Sequence, residues 1–389
     1  MENKRIARLA RDSFLNPPLF EGFSDIRKNP VIKLRTILMS LFLMPFFGMR
    51  SLLSNDRETR TQRYKGLFDC RRKMVASDST FARVLRWLKL QQAQQFLLSF
   101  LPVFEKRDLL RKRLSVRGRL RRVGIVDGSF MGGHWLVTLC LAGQINYPLM
   151  IRRCENRGDE QAVARTMIQE APAALLDSRP QLWLLDSLYF NVNTIRLIRK
   201  QKAHVLFKVK EAEFRTVTAD ADNLFRHYGG DKEESGSDPL RHCRWKALKT
   251  IDSFGGYPVA VLQIIEHYPK RRRNRNESFW IVTTDLALSI EEAREAAHQR
   301  WQIENNVFKR ISHLSATKRF HFKDPRQFFN MLHIFFAAVA VLDYIIALLR
   351  DHRRLFAALR AGIKVTWLNV FCCIRETLYA LPCALSRFA

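Results

Sequence analysis

Val123-Gly124-Ile125-Val126-Asp127 reads as a short buried strand that stops on a carboxylate. A second run of the same kind, Gln181-Leu182-Trp183-Leu184-Leu185-Asp186, also ends on an aspartate. Between them lie two further apolar runs, HWLVTLCLAG from His134 and YPLMIRRC from Tyr147, and the helical pattern DEQAVARTMIQEA from Asp159. After Asp186 come a helix in NVNTIRLIRKQ and a fifth strand in HVLFKVK. Three strands in a meander followed by alternating helix and strand predict an α/β fold with a mixed sheet. Asp127 falls on the first strand and Asp186 on the fourth.

Further along, SIEEAREAAHQRWQIENNVFKRISHL, from Ser289, predicts a helix with an apolar stripe through Ile290, Ala293, Ala297, Trp301, Phe308 and Ile311. Glu304 sits beside that stripe, one turn after Arg300. A carboxylate on a core-facing stripe is costly unless it is paired or binds a metal. Taken singly, Asp127 before Gly128 reads as a turn former, Asp186 before Ser187 as a helix cap, and Glu304 as a partner for Arg300. Three such placements together predict a divalent-cation site for phosphate chemistry. Two ions roughly 3.5–4 Å apart would activate the attacking oxygen and stabilise the leaving one in phosphodiester cleavage. In this reading Asp127 serves both ions, Asp186 one and Glu304 the other. Mg²⁺ suits an all-oxygen site that keeps positions for water and phosphate, with Mn²⁺ able to substitute.

Charge points to the same partner. The 389 residues carry 66 Lys/Arg against 37 Asp/Glu, a net charge of +29, and residues 1–122 alone hold 28 Lys/Arg against 10 Asp/Glu. Such an imbalance favours nucleic acid, with the N-terminal part as its main footprint. Within that part SDSTFARVLRWLKL opens with the helix-start residues Ser77, Asp78 and Ser79 and sets Arg83, Arg86 and Lys89 off the apolar stripe. These three are candidate DNA contacts, the alternative being a solvated face on a core helix. Residues 1–120 read as helical, with a turn at Asn16-Pro17-Pro18.

Residues 211–285 read as an antiparallel β insertion built from FRTVTA, RWKALKTI, YPVAVLQIIEHY and SFWIVTTD, separated by turn-rich stretches such as GGDKEESGSDP. Its Tyr268–Glu277 segment, YPKRRRNRNE, predicts a basic hairpin tip in which Arg271, Arg272 and Arg273 are candidate DNA contacts, the alternative being a solvated loop. Trp245 and Trp280 in this insertion read as core residues rather than base-stacking platforms.

Other classes are excluded on spacing. GxxxxGK[ST] and GxSxG are absent, and His242-Cys243 lacks a second metal-binding pair. Seven cysteines without a CxxC pair fit a reducing, intracellular setting. Ile37–Met49 is too short to span a bilayer and contains Pro45. Phe328–Leu349 is long enough, but Asn330, His333 and Asp343 favour a buried core helix, so no membrane association is expected.

The order IVDGS, LLDSLYF, β-rich insertion and RWQIENNVFKR resembles the DDE transposases of bacterial insertion sequences, over roughly residues 120–340. The resemblance implies a ribonuclease H-like mixed-sheet core whose first and fourth strands present two aspartates side by side, with the glutamate delivered by a later helix. It further implies Mg²⁺-dependent cleavage at element ends, transfer of the freed 3′-hydroxyl to double-stranded target DNA, a homodimer pairing two ends, and a bacterial cytoplasmic, nucleoid-associated setting. One branch of that family carries a Tyr, Arg, Glu, Lys signature on the glutamate helix. Arg300 and Glu304 match its spacing, Ala297 and Ile311 replace its tyrosine and lysine, and Lys309 and Arg310 lie close at another helical angle. Arg300 is then expected on backbone phosphate or the scissile end, with Lys309 and Arg310 as further DNA contacts. The expected organisation is a helical, basic DNA-binding region at 1–120, a first core part at 121–210, the insertion at 211–285, a second core part with the glutamate helix at 286–350, and a helical end at 351–389. The competing expectation is a non-catalytic DNA-binding protein, an inactive remnant acting as a repressor.

Overall fold

The computed structural model describes residues 19–62, 64, 76–110, 115–116, 119–175, 179–209, 215–229, 232–238, 241–254, 256–268, 275–309, 311–312 and 322–351. The Asn16-Pro17-Pro18 turn, the arginines Arg271, Arg272 and Arg273, Arg310 and the segment 352–389 lie outside them. The chain forms two compact units. One combines Met1–Leu109, Phe130–His134 and Asn306–Ala389; the other combines Leu110–Ser129 and Trp135–Asn305.

The first unit is helical: α1 (Leu34–Leu43), α2 (Leu52–Thr59), α3 (Asp78–Trp87), α4 (Leu90–Leu98), α5 (Leu101–Lys106) and a long helix, Pro325–Asp351. The long helix packs on α1, α3 and α4, and so is grouped with the N-terminal helices. Its stretch Pro325–Ala347 is long and apolar enough to cross a membrane, yet residues 327–347 are all buried within the protein. Its polar residues serve packing. Asn330 Nδ2 donates to the Leu85 and Leu88 carbonyls, each at 2.8 Å, and Gln327 Nε2 donates to Ala82 O at 2.7 Å. The Leu85 and Leu88 carbonyls belong to the end of α3, where helix geometry leaves acceptors without partners. Phe20, Phe42, Phe96, Phe100 and Phe104 form a continuous aromatic cluster that reaches Tyr344.

The second unit is built on one sheet whose strands are β1 (Val123–Met131), β2 (His134–Ala142), β3 (Asn146–Arg153), β4 (Leu182–Asp186), β5 (His204–Val209), β6 (Lys232–Asp238), β7 (Arg241–Phe254), β8 (Tyr257–Tyr268) and β9 (Arg275–Thr283). The spatial order is β3-β2-β1-β4-β5-β9-β8-β7-β6. β1, β4 and β5 run parallel, while β5 pairs antiparallel with β9 and the remaining insertion strands continue antiparallel. Gly132 and Gly133, at φ of +57° and +85°, make the tight turn between β1 and β2. The near-continuous burial of β1 from Val123 to Val126 and of β4 from Leu182 to Leu185 is what central parallel strands require. Helices α6 (Glu160–Leu175) and α7 (Val192–Lys200) form the crossovers from β3 to β4 and from β4 to β5. The insertion is thus an extension of the core sheet, with β8 and β9 paired out to Tyr268 and Arg275.

Three local expectations are corrected. FRTVTA opens a helix, α8 (Arg215–Tyr228), because Thr218, Ala221 and Phe225 are buried at a helical spacing that continues past the short β-like run. KEESGSD, read as turn, is β6, the edge strand, which pairs with β7 from Lys232 to Asp238. A strand with one neighbour can carry such a polar sequence because an edge tolerates and even favours charge. The glutamate helix is α9 (Ile290–Gln302), and its regular turns give way to a π-helical stretch, Ile303–Phe308, which contains Glu304. The wider winding rotates everything after Gln302 away from the angle that a straight helix predicts.

Candidate active site

The parallel pairing of β1 with β4 aligns Val126 with Leu185, so Asp127 and Asp186 follow side by side at the ends of two adjacent strands. Both are partly open, at 15% and 33% side-chain exposure. Two carboxylates this near repel each other unless a cation intervenes. Arg300 supplies one: its Nη1 lies 3.3 Å from Asp127 Oδ2 and its Nη2 3.5 Å from Asp186 Oδ1. Packing of α9 on β4, β5 and β9 brings the guanidinium there, and a reciprocal Ser289 and Glu292 capping box starts the helix. Arg300 Nε is buried without a hydrogen bond.

Further groups crowd the same strand ends. Asp127 Oδ1 accepts the Gly128 N–H at 3.0 Å. A Cβ on Gly128 would sit 2.4 Å from Glu160 Oε2 and 3.4 Å from the Tyr189 hydroxyl, so a side chain there would displace the Glu160 carboxylate from the strand end. Burial raises the Glu160 pKa above the usual carboxylate range, with Arg157 opposing. Burial also pushes up the Tyr189 phenol, and Asp127, Glu160 and Asp186 add to the effect. The Cys140 thiol rises through burial and through the charge of Asp127. Lys208, the register partner of Asp186 on β5, is buried with its Nζ 4.0 Å from the Phe279 ring centre. Burial, followed by repulsion from Arg300, lowers its pKa to about 8, against the pull of Glu266, Glu277 and Asp186.

Behind this site, Glu266 on β8 is fully buried and accepts from Arg294 Nε at 2.6 Å and from His298 Nε2 at 2.7 Å. Both partners lie on α9, so this cluster ties the helix that carries Arg300 to the sheet. Asp285, also buried, is paired with Arg121.

Of the residues singled out in the sequence, Asp127, Asp186 and Arg300 come together. The Glu304 backbone lies one turn beyond Arg300 in the π-helical stretch, and its side chain lies outside the described residues. Lys309, Arg83, Arg86 and Lys89 are exposed, the last three at the end of α3 and the start of α4 in the helical unit. Arg86 approaches Asp324 at 3.9 Å. Trp280 is fully buried against Phe225, as core packing predicts; the Trp245 side chain lies outside the described residues. Glu160, Tyr189 and Lys208 escaped sequence reasoning. The available signal for Lys208 was a lysine inside the apolar run HVLFKV.

Among the described residues no three His, Cys, Asp or Glu side chains are grouped closely enough to hold a metal. The donor chemistry nevertheless fits a hard divalent cation. Asp127 and Asp186 offer oxygens to one place, and a positive group already reaches both.

No family model matches this sequence and no curated protein matches it. Among solved structures, the chain is similar to a piggyBac transposase in a synaptic complex with hairpin DNA, at a TM-score of 0.47 and 9% sequence identity, over 98% of this chain and 80% of that chain.

Proposed function

We propose that this chain is a DNA transposase of the DDE type, with a ribonuclease H-like catalytic core of the kind found in bacterial insertion sequences. The observation that supports it is the pair of aspartates side by side on adjacent parallel strands, bridged by an arginine that lies one helical turn before Glu304. Asp127, Asp186 and Glu304 would hold two Mg²⁺ ions, or Mn²⁺ in their place. When bound, the ions supply charge stabilisation at the attacking and leaving oxygens of a phosphodiester.

The protein's own groups do the rest. Asp127 and Asp186 are presented from rigid strand ends, which fixes the distance between their carboxylates. Arg300 balances those carboxylates in the free protein and serves as the partner of a backbone phosphate when DNA is present, since its planar fork suits either anion. Lys208 adds positive charge behind Asp186 and keeps the local balance suited to a polyanionic substrate. The substrate is double-stranded DNA, cut at the ends of an element and joined through the freed 3′-hydroxyl to a target, with two copies of the chain pairing two ends.

The test is cleavage of DNA spanning the gene's own flanking ends, with Mg²⁺ or Mn²⁺, by the wild-type chain and by Asp127→Asn, Asp186→Asn and Glu304→Gln. Each variant is expected to lose about 10²–10³-fold or more in cleavage while retaining DNA binding, as for other losses of preorganised charge stabilisation. A wild-type chain that binds its ends in a salt-sensitive way but never cuts them, with binding indifferent to the metal, would identify a repressor instead.

A further inference from the structure

In the helical unit, α3 and the segment Ile26–Pro30 enclose a cleft of about 420 Å³. Its wall on α3 is a single stripe, Thr80, Arg83, Val84 and Trp87, at the spacing that puts residues on one helical face. Val84 is buried and forms apolar floor, whereas Trp87 is 43% exposed at the open end. Ile26, at 61% exposure, and Lys28 stand on the opposing segment.

The opposing segment is held in shape by its own contacts. Arg27 donates through Nε to Asp25 Oδ1 at 2.7 Å, and through Nη2 to Asp25 Oδ2 at 2.6 Å and to the Ile32 carbonyl at 2.8 Å. Its hydrogen bonds hold the Asp25 carboxyl below the usual range despite some desolvation. Arg27 is therefore committed to the loop, and the cleft's available positive charge belongs to Lys28 and Arg83. Arg83 makes one long contact, Nη2 to Thr80 Oγ1 at 3.5 Å.

The cleft thus combines an exposed indole, an exposed aliphatic side chain and two cations in a small preformed concavity. A duplex does not enter such a space, because a helix that reads a groove must protrude. A single nucleotide does fit, since its base offers a flat face to an aromatic ring and its phosphate a charge to Arg and Lys. We infer that this cleft takes one unpaired nucleotide of a DNA strand, with the base against Trp87 and Ile26 and the phosphate on Arg83 and Lys28. The inference rests on the reading of the chain as a DNA-processing protein, and adds to it a site that recognises a frayed or cut end rather than intact duplex.

The experiment measures binding of the full chain, in EDTA, to a blunt duplex, to the same duplex with a short unpaired overhang, and to a free mononucleotide. The wild type is expected to prefer the overhang. Trp87→Leu is expected to lower overhang affinity about tenfold and leave the blunt duplex unchanged, while Trp87→Phe retains most of the preference. Lys28→Ala and Arg83→Ala should each reduce the slope of log affinity against log salt by about one. Loss of the preference in Trp87→Leu with an unchanged thermal midpoint supports the site. Equal affinity of Trp87→Leu and wild type for the overhang overturns it, as does an equal loss on both duplexes. Displacement of the overhang by a phosphorylated peptide as effectively as by an unpaired strand overturns it in favour of a peptide site. Asp127→Asn is carried in parallel: if that variant cleaves normally the proposed catalytic function fails, while the overhang preference is still read on its own.

Discussion

The two units bury polar groups of different kinds. In the α/β unit, Glu160, Lys208, Glu266, Asp285 and Arg300 are all buried, and most are matched by opposite charge across strands and the helix laid over them. In the helical unit the deeply buried polar residues are mainly neutral, such as Asn55, Gln327, Asn330 and His333, while Lys28, Arg83, Arg86 and Lys89 face outward. Buried charge demands fixed partners, which neighbouring strands in register provide. A surface field needs only exposed cations on a stable scaffold. Chemistry and electrostatic reach are therefore divided between two kinds of architecture.

The largest test of this contrast is Glu266→Ala. Removing the acceptor takes from Arg294 and His298 the carboxylate they share and leaves a cavity, and such a break is expected to cost about 3–5 kcal/mol. Chemical denaturation of the α/β unit, followed by its tryptophans, measures it. A cost below about 1 kcal/mol would mean that the cluster is solvated and that the unit does not depend on paired buried charge.

His333 provides the counterpart in the helical unit. Its Nδ1 is 2.7 Å from the Phe329 carbonyl, and burial lowers its pKa to about 4. An unfolded histidine titrates near 6.5, so between pH 6.5 and 4 the unfolded chain takes up a proton that the folded chain refuses. The neutral ring's advantage is complete above pH 6.5 and falls away with acid, amounting to about 3 kcal/mol by pH 4. His333→Leu should flatten the stability profile over that window by this amount. An unchanged slope would show that His333 is protonated without unfolding and that this helix tolerates buried charge after all.

The parts of this division that were legible in the sequence are those governed by burial on both sides. VGIVD and LWLLD announce central strands because parallel strands covered on two faces need unbroken apolar runs, and an aspartate ending each run marks where the cover stops. β6 was illegible because an edge strand takes its order from one neighbour's backbone and asks little of its side chains. FRTVTA misled because its β-branched residues carry a weak preference that tertiary burial of Thr218, Ala221 and Phe225 overrides. The pairing of Arg300 with both aspartates was hidden for another reason. One-turn neighbours are visible along a helix, whereas its partners across the sheet depend on how α9 is laid down. Glu160 was hidden likewise, since a glutamate in the first turn of a helix is unremarkable until the fold sets its carboxylate against Gly128, the residue after Asp127.

The smallest effect compares the caps of two helices, one in each unit. Ser289 begins α9 with a reciprocal box: its Oγ accepts from Glu292 N at 3.1 Å, and Glu292 Oε2 accepts from Ser289 N at 2.8 Å. Ser77 begins α3 by accepting from Thr80 N at 3.2 Å without a reciprocal bond to its own N–H, its hydroxyl also lying 2.9 Å from Ser79 Oγ and 3.0 Å from Thr80 Oγ1. Alanine at either position should cost about 0.5–2 kcal/mol, with Ser289 toward the upper end because its loss also frees Glu292. Denaturation midpoints at unchanged slope measure both. If the units unfold as separate cooperative blocks, Ser289→Ala shifts one transition and Ser77→Ala the other, and the division of buried charge is also a division of stability. If both variants move one shared transition by similar amounts, the units stand or fall together. The contrast between them would then be one of surface and site chemistry alone.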